Sequence, residues 1–455
     1  MKIIIPEKLK KLSENCPSPL YAVGGYVRNF LINETPSDDI DIAAGLNTEE
    51  IVKAAGACGF KVVAEYKRTG TVVIFDGERK YEYTRFRTDS YARGGSHEPI
   101  ETEFTDDITL DAKRRDFKCN AVYYDIKQGE IVDPLGGVTD IKNKMLDTVV
   151  EPKAVFMSDG LRLMRLCRFA AELNFTPTDS VLEGAKEYAE NIRDIAPERV
   201  YDELKKILAA DKKYPFSNPK GHYTGIKILQ KIGVFDILFP ELAAGRGMAQ
   251  RADYHNYDVL EHTFRTVLYA DMEIRLAALL HDAGKPYCRI NFGKYKNHAL
   301  EGERIARDIL KRLKVDKRTT EKTAFLVKNH MFDLKNAEPE SALRLFIVEN
   351  RKYFVPLLKL KQADYSACKD DLSVCPTVER WTAVYEKMKS DGTPFSLKEL
   401  KITPADLTAT GFRERYLGEE LKRLFEYAVT TPKANDFETL KAKAEEDFKS
   451  GFYTT

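Results

Sequence analysis

The first 148 residues alternate short apolar runs with segments of helical pattern. Four runs are rich in β-branched or aromatic residues and are bounded by glycine, aspartate or charged residues, as strands are. They are KVVAEY (61–66), TVVIFDG (71–77), KYEYTRF (80–86) and NAVYYDI (120–126). Helical segments lie between them, and one of these begins after Asn47, a favourable N-cap residue. The pattern predicts a mixed α/β head over residues 1–148.

Beyond residue 148 the strand-like runs nearly disappear, and apolar residues recur at the spacing of helices. Four clear examples are MSDGLRLMRLCRFAAEL (157–173), PERVYDELKKILAA (197–210), DVLEHTFRTVLYADMEIRLAALL (258–280) and GERIARDILKRLK (302–314). The segment DKKYPFSNPKGHY (211–223) has the composition of a joint between helical units. The remainder is therefore predicted to be all-helical, with a neck at 149–212, a body at 213–372 and a tail at 373–455.

The composition is that of a globular protein, and its 455 residues are too many for one core. A net charge of +1 neither supports nor excludes RNA as a partner, because local patches could still bind it. The seven cysteines form no CxxC pair, which argues against a structural zinc site or a disulfide framework. The start MKIIIPEKLKK is too short in apolar residues for a signal peptide or a membrane span. We therefore expect a cytoplasmic protein with no membrane partner.

The segment GGYVRNFL (24–31) places Gly24 and Gly25 immediately before a predicted helix. Free backbone N–H groups at a helix start bind phosphate, and glycine allows the phosphate to approach closely. Arg28 would add positive charge in the first turn. Taken alone, such a glycine pair is more often an ordinary turn than a ligand site.

The segment SDDIDIA (37–43) reads as a strand in which Asp39 and Asp41 point to the same face. Glu82, between two tyrosines of a later strand, is a candidate third carboxylate. Magnesium prefers carboxylate oxygens, and two ions about 4 Å apart can activate a 3′ hydroxyl and hold a triphosphate. A solvated turn and an exposed strand glutamate are the plainer interpretations of these residues.

Four further motifs follow in order: RRDFKCNA (114–121), DPLGGVTDI (133–141), SDGLRLMRLCRFAAELNF (158–175) and PERVYDELKKIL (197–208). Together with the two preceding segments, they resemble the motifs of the class II CCA-adding and poly(A) polymerase family. The resemblance covers about the first 210 residues and implies a polymerase-beta-like nucleotidyltransferase head. It also implies template-independent addition of C, C and A to the 3′ end of tRNA, with CTP, ATP and Mg²⁺.

The resemblance implies roles for individual residues. Asp39 and Asp41 would bind magnesium with Glu82 as the third carboxylate. The implied nucleotide-binding residues are Gly24, Gly25, Arg28, Arg115, Asp116, Asn120, Asp159, Arg162, Arg165 and Arg168. Among these, Arg115 would contact the triphosphate, Asp116 would approach the sugar and Asn120 would support their loop.

The last four of these residues lie at three-residue steps and are predicted to share one helical face that reads the incoming base. Cytosine and adenine both present an amino donor beside a ring-nitrogen acceptor, which matches an acceptor at Asp159 and a donor at Arg162. Uracil and guanine present the reverse pattern and would leave both charges unpaired. A surface ion pair is the plainer alternative. The chain departs from the family pattern at Asn29, where the family has aspartate, and at Ser158, where it has glutamate.

The segment FRTDSYARGGSHEPIETEF (86–104) resembles the flexible loop of family members that switch from C to A. The sequence shows no basic signature typical of bacterial poly(A) polymerases. Both features favour complete CCA addition, while poly(A), CC-only and A-only addition remain alternatives.

A second set of residues consists of His262, His281, Asp282 and Asp364, with LLHDAGKP around the central pair. The set resembles the H…HD…D signature of HD phosphohydrolases and implies a second divalent metal site on facing helices. The HD domain could retain phosphohydrolase activity or only support RNA, and both alternatives stay open. A further alternative is that the whole protein is an HD phosphohydrolase whose head merely binds nucleotide or RNA. The tail is expected to bind tRNA by its shape, and nothing indicates the oligomeric state.

Overall fold

The computed structural model describes residues 3–34, 39–90 and 100–450. The chain divides into two compact units. Unit 1 comprises Met1–Ala243 and Lys311–Val315, and unit 2 comprises Ala244–Leu310 and Asp316–Thr455. The predicted division into head, neck, body and tail is finer than this and stays a prediction. None of the described helices is both long enough and apolar enough to cross a lipid bilayer.

All strands of the described residues lie in unit 1. They are β1 (Tyr21–Val23), β2 (Ile40–Ala44), β3 (Lys61–Tyr66), β4 (Thr71–Phe75), β5 (Lys80–Arg85), β6 (Arg87–Ser90), β7 (Glu101–Phe104), β8 (Tyr123–Asp125), β9 (Glu130–Val132), β10 (Met145–Leu146) and β11 (Thr176–Pro177). Seven of them form one sheet in the order β3-β4-β5-β2-β1-β8-β9. Only β2 and β5 are parallel neighbours in this sheet. The predicted mixed α/β head is therefore confirmed.

The helices of unit 1 pack on this sheet and continue beyond it. They are α1 (Glu7–Asn15), α2 (Gly25–Asn33), α3 (Thr48–Ala57), α4 (Ile108–Lys113), α5 (Gly137–Asn143), α6 (Pro152–Ser158), α7 (Leu161–Leu173), α8 (Asp179–Glu187), α9 (Pro197–Leu208), α10 (Gly221–Lys231), α11 (Val234–Leu238) and α12 (Pro240–Ala243). Helix α3 begins after Asn47, which forms a capping box with Glu50 as the sequence predicts. Helix α7 is buried along nearly its whole length, because α9 and α10 both pack against it.

Unit 2 is helical throughout its described residues. Its helices are α13 (Val259–Tyr269), α14 (Arg275–Leu280), α15 (Gly284–Phe292), α16 (His298–Arg312), α17 (Lys317–Asn329), α18 (Glu340–Glu349), α19 (Arg351–Lys369), α20 (Pro376–Ser390), α21 (Pro404–Thr410), α22 (Glu414–Thr430) and α23 (Phe437–Lys449). Helix α19 packs against α13, α14, α17 and α20. A Cβ atom on Gly284 would lie 2.1 Å from the carbonyl oxygen of His298. Glycine therefore allows α15 to begin in direct contact with α16.

Candidate nucleotidyl-transfer site and histidine-rich centre

The candidate carboxylates of the head lie on adjacent strands. Parallel pairing of β2 and β5 places Asp41 directly beside Glu82. Both side chains are exposed, whereas their neighbours Ile40 and Tyr81 are buried. Asp39 lies one residue before β2 and is exposed as well, two positions from Asp41. Because side chains alternate along a strand, the three carboxylates face the same side of the sheet.

Asp41 has a raised pKa in this cluster. Its side chain reaches solvent, yet the protein atoms around it reduce its solvation, and this partial burial raises its pKa to about 6. Arg115 lowers the pKa of Asp41, while the charges of Glu82 and Asp39 raise it. Three carboxylates thus lie together on this face of the sheet, and their like charges oppose one another. Divalent cations would balance these charges, so this donor set fits such ions.

The glycine turn lies against the same carboxylate. Gly24 has a φ of 75°, a conformation that favours glycine, and helix α2 begins at Gly25. Antiparallel pairing of β1 with β2 places Val23 opposite Asp41. A Cβ atom on Gly24 would lie 3.4 Å from Oδ2 of Asp41. The start of α2, with its free N–H groups, is therefore adjacent to the acidic cluster.

A buried hydrogen-bond network connects α2 with α7. Arg28 donates to Oδ1 of Asn29 from Nε (3.1 Å) and Nη2 (2.8 Å), and to Oδ1 of Asn120 from Nη1. Nδ2 of Asn120 donates to Oδ1 of Asp116 at 2.9 Å. Nε of Arg165 donates to Oδ2 of Asp116 at 2.7 Å. At position 29, where the family has aspartate, an amide oxygen thus orients Arg28 without adding negative charge.

The charge of Asp116 is stabilised by this network. Burial alone would raise the pKa of Asp116, but Arg165 and the amide of Asn120 hold it well below its ordinary value. Asn120 joins Arg28 to Asp116 by hydrogen bonds to both. The same contacts orient Asp116 towards α7 in this structure.

Arg115 has a partner that the sequence analysis missed. Its Nη2 donates to Oδ2 of Asp111 at 3.1 Å, and its Nε donates to the hydroxyl of Tyr123 at 3.1 Å. Asp111 is fully buried. Burial opposes its charge, but Arg115, Arg114 and Tyr123 lower its pKa to about 2. Its position four residues before Arg115 on a short helix is the sequence feature that could have identified it.

The predicted helical face for base reading is wrong for Asp159. Helix α6 ends at Ser158, Asp159 is extended, and α7 begins at Leu161. Oδ1 of Asp159 accepts a hydrogen bond of 2.9 Å from the N–H of Leu161. The residue after Asp159, Gly160, packs so closely that a Cβ atom there would lie 2.3 Å from the carbonyl oxygen of Asn191.

The three arginines do lie on α7. Nη2 of Arg162 donates to the carbonyl oxygen of Arg114 at 2.6 Å, and Nη1 donates to Oγ of Ser158 at 3.1 Å. Nη1 of Arg168 donates to Oε1 of Glu203 on α9 at 2.9 Å. Ser158, which replaces the family's glutamate, therefore contacts Arg162 and helps to orient it.

An aromatic side chain lies among the arginines of the network. The guanidinium carbons of Arg28, Arg165 and Arg168 lie 5.2, 5.1 and 4.3 Å from the ring centroid of Phe169. These distances allow cation–π contacts. Phe169 belongs to the motif around α7, but its role depends on Arg28 from a distant helix and could not be inferred from spacing.

In unit 2 the structure brings the four HD-signature residues together. His262 lies on α13, His281 and Asp282 follow α14, and Asp364 lies on α19. Nε2 of His262 is 2.9 Å from Oδ1 of Asp364 and 3.5 Å from Oδ2 of Asp282. Nε2 of His281 is 3.2 Å from Oδ2 of Asp282. These donors fit a divalent transition metal.

Two further histidines approach Asp282 from the other side. Nε2 of His298 and Nε2 of His330 lie 3.4 and 3.6 Å from Oδ1 of Asp282, and 3.3 Å from each other. The Nδ1 atoms of these rings lie 2.8 and 2.7 Å from backbone carbonyl oxygens. Because a carbonyl only accepts, each Nδ1 carries a proton, so in the neutral ring Nε2 is the nitrogen that can bind a cation beside Asp282. Asp282 thus lies between two donor groups that could each hold a cation.

A large cavity opens on this centre. Its volume is about 990 Å³, and Asp282, His298, His330 and Asp364 are among its lining residues. The rest of the lining includes three tyrosines and four lysines, at positions 254, 295 and 365 and at 285, 296, 335 and 361. The cavity therefore combines aromatic surface and positive charge beside the metal-type donors, a combination suited to a phosphorylated aromatic ligand.

The comparisons with known proteins match the regions of the chain that carry both sites. Residues 20–147 match the poly A polymerase head domain, residues 174–245 match the probable RNA and SrmB-binding site of polymerase A, and residues 259–367 match the HD domain. The chain is 31% identical over 369 residues to the A-adding tRNA nucleotidyltransferase of Deinococcus radiodurans, a match that covers 76% of each chain.

Two other matches are similarly extensive. The chain is 29% identical over 399 residues to the CC-adding tRNA nucleotidyltransferase of Thermus thermophilus, which covers 83% of this chain and 82% of that one. The fold is similar to the crystal structure of the Bacillus stearothermophilus CCA-adding enzyme in complex with CTP. That similarity has a TM-score of 0.66 at 20% identity and covers 99% of this chain and 100% of that one.

These matches and the carboxylate-bearing sheet define a nucleotidyltransferase head joined to an HD domain. The chain belongs to the class II family of tRNA nucleotidyltransferases and poly(A) polymerases. Enzymes of this family use divalent metal ions.

Proposed function

We propose that this enzyme adds C, C and A in succession to the 3′ end of tRNA, from CTP and ATP and with Mg²⁺. The observation that carries the proposal is the register of β2 and β5, which places Asp41 beside Glu82 and next to the glycine turn. Carboxylates repel a phosphate group that is bound at the neighbouring N–H groups. A triphosphate with bound magnesium fits this site, because the N–H groups bind the phosphates and the carboxylates bind the cation.

Each group in this site has a proposed task. Asp39 and Asp41 hold the ions, and Glu82 completes the acidic set. Magnesium, when bound, favours ionisation of the tRNA 3′ hydroxyl and neutralises charge on the triphosphate. The N–H groups at the start of α2 and the Arg28 guanidinium hold the phosphates in line for attack.

Arg115 and Asn120 act around this core. Arg115 is oriented by Asp111 and Tyr123 and contributes positive charge beside the acidic cluster. Asn120 fixes both Arg28 and, through Asp116, Arg165 of α7. The triphosphate and the base-reading segment are thereby held by one connected network.

Replacing Asn120 with alanine is expected to weaken both the fold and nucleotide binding. Arg28 and Asp116, both buried, would each lose a hydrogen-bond partner, at a cost of roughly 1–3 kcal/mol in the free energy of unfolding. The KM for CTP should rise because Arg28 is no longer fixed. Urea unfolding and CTP kinetics measure the two effects, with the exposed Asn143→Ala as the control. Unchanged stability and KM in Asn120→Ala would contradict the proposed role of the network.

Base selection is assigned to Asp159 as the hydrogen-bond acceptor and Arg162 as the donor. Each side chain is held by a hydrogen bond to the backbone, at Leu161 and at Arg114 respectively. Asp159→Ala should reduce the preference for CTP over UTP by roughly tenfold or more, because the acceptor for the cytosine amino group is lost. Incorporation of each NTP into the same tRNA transcript gives this ratio. Asp179→Ala, at an exposed position of α8, is the matched control. A variant that keeps the ratio while losing overall rate would place base selection elsewhere.

Complete CCA addition is proposed over partial addition because of the segment at 86–104. Strands β6 and β7, which lie at the two ends of this segment, pair with each other. Residues 91–99 of the predicted flexible loop lie outside the described residues. The decisive experiment uses tRNA transcripts that end before CCA, after C and after CC, each with one NTP and magnesium. Addition to all three supports the proposal. Addition to only some of them indicates a CC-adding or A-adding enzyme, and long A tails indicate a poly(A) polymerase.

A second function is favoured by the position of Asp282. We propose that the HD domain has two donor groups for divalent cations, which share Asp282, and that it hydrolyses a phosphate ester in the adjoining cavity. His262, His281 and Asp364 complete one donor group, and His298 and His330 complete the other. The test is hydrolysis of a 2′,3′-cyclic nucleotide by the metal-loaded enzyme. Bound metal without turnover would leave the centre structural.

A further inference from the structure

The loop between α9 and α10 presents two aromatic rings in parallel. The ring centroids of Tyr214 and Phe216 are 5.0 Å apart, and the ring planes are inclined by only 7°. Both side chains are partly exposed. The two rings form a nearly parallel, partly exposed aromatic surface on which a further ring can stack.

This pair is held in place by the backbone around it. The N–H of Ser217 donates to the carbonyl oxygen of Tyr214 at 3.0 Å and closes a turn. Oγ of Ser217 accepts from the N–H of Tyr214 at 3.2 Å and donates to the carbonyl oxygen of Glu172 at 2.7 Å. Because Glu172 belongs to α7, the two rings have a fixed position relative to the base-reading segment.

The pair also adjoins the proposed triphosphate site. The hydroxyl of Tyr214 accepts a hydrogen bond of 3.3 Å from Nη2 of Arg28. That same Nη2 lies 3.6 Å from the Cβ position of Gly25, at the start of α2. Lys213 and Lys220 are exposed on the same loop. Aromatic surface and positive charge therefore occur together beside the reacting end of the site.

We propose that the Tyr214–Phe216 pair stacks the terminal base of the tRNA 3′ end and so positions the attacking hydroxyl. Single-stranded RNA ends bind proteins chiefly by base stacking and phosphate contacts. Successive rounds of addition present different terminal bases, so a surface that reads no base edge is needed for the primer. The incoming nucleotide, in contrast, is selected by the hydrogen-bonding groups of Asp159 and Arg162. This inference rests on the proposed nucleotidyl transfer to tRNA.

The test compares three variants of Phe216 in the full-length enzyme. Phe216→Leu keeps apolar volume but removes the aromatic surface, Phe216→Trp keeps a stacking ring, and Phe216→Ala removes both. We expect the KM for a tRNA transcript lacking CCA to rise about tenfold in the leucine and alanine variants. The tryptophan variant should stay near the wild type, and the KM for CTP should change little in all three.

Direct binding of the same transcript separates this inference from the proposed function. If the wild type fails to incorporate CMP, the proposed function fails, and the dissociation constant for tRNA still reports on the pair. If Phe216→Leu binds and uses tRNA as the wild type does, stacking is overturned, because packing alone would then explain the ring. An equal rise in the KM for CTP would also overturn it. Thermal unfolding of each variant shows whether a loss reflects misfolding.

Discussion

Replacing Asp41 with asparagine is expected to reduce CMP and AMP incorporation by about a thousandfold or more. The amide nearly preserves the shape of the side chain but cannot supply the negative charge that a divalent cation needs. A thousandfold loss corresponds to about 4 kcal/mol of transition-state stabilisation, within the range for removal of a group that holds charge in an active site. Single-turnover incorporation into a tRNA transcript at saturating magnesium measures it.

The control for this prediction is Glu65→Gln, which removes an exposed carboxylate from β3 at the far edge of the same sheet. We expect this variant to retain full incorporation. Binding of tRNA should be similar in Asp41→Asn and the wild type, because the loss affects the chemical step. If Asp41→Asn kept more than about a tenth of the wild-type rate, the ions would have to be held elsewhere.

The sequence sufficed for those parts of the site that depend on local periodicity. Strand alternation predicted that Asp39 and Asp41 share a face and that Glu82 points away from its buried tyrosine neighbours. The N-cap at Asn47 was likewise readable, because a capping box is a local interaction. The pattern could not predict the parallel pairing of β2 with β5, because β3 and β4 lie between these strands in the chain.

Contacts between distant segments account for what sequence analysis missed. Asp159 adopts an extended conformation between α6 and α7 and therefore lies outside the predicted face, while Gly160 beside it packs against the backbone of Asn191. The hydrogen bond between Arg28 and Tyr214 joins residues 186 positions apart. No periodicity in the sequence encodes such a pair, and the neighbouring motif gives no indication of it.

In the histidine-rich centre, too, a sequence signature predicts some of the donors, whereas others depend on contacts between distant segments. The HD signature identified four donors, and the structure places them within reach of one ion. His298 and His330 are not part of that signature, and their role as donors depends on how α16 and α17 meet the segment after α14. Gly284 permits part of this approach, because any side chain there would collide with the backbone at His298.

The centre should lose both cations when Asp282 is replaced with asparagine. The carboxylate faces one donor group with each oxygen, so its removal takes one anionic donor from both groups at once. Nζ of buried Lys285 lies 2.7 Å from Oδ2 of Asp282 and also donates to Oε1 of Gln250, so Lys285 would lose its anionic partner and keep only the amide. Breaking a buried pair in this way costs roughly 3–5 kcal/mol. We therefore expect lower thermal stability together with the loss of metal.

Metal analysis after loading with Mn²⁺ and dialysis tests this expectation. In the Asp41→Asn background, which removes the metal site of the head, the chain without further changes should retain two equivalents, Asp282→Asn essentially none, and His298→Gln one, because His298 serves only the second donor group. Asp308→Asn, an exposed position on α16, is the matched control and should retain two. In a chain that keeps Asp41, His298→Gln should leave CMP incorporation intact, because His298 lies in unit 2 and the acidic cluster lies in unit 1. If the chain without further changes instead retained one equivalent, and His298→Gln retained it too, the second donor group would hold no ion. The centre would then consist of the four residues of the HD signature.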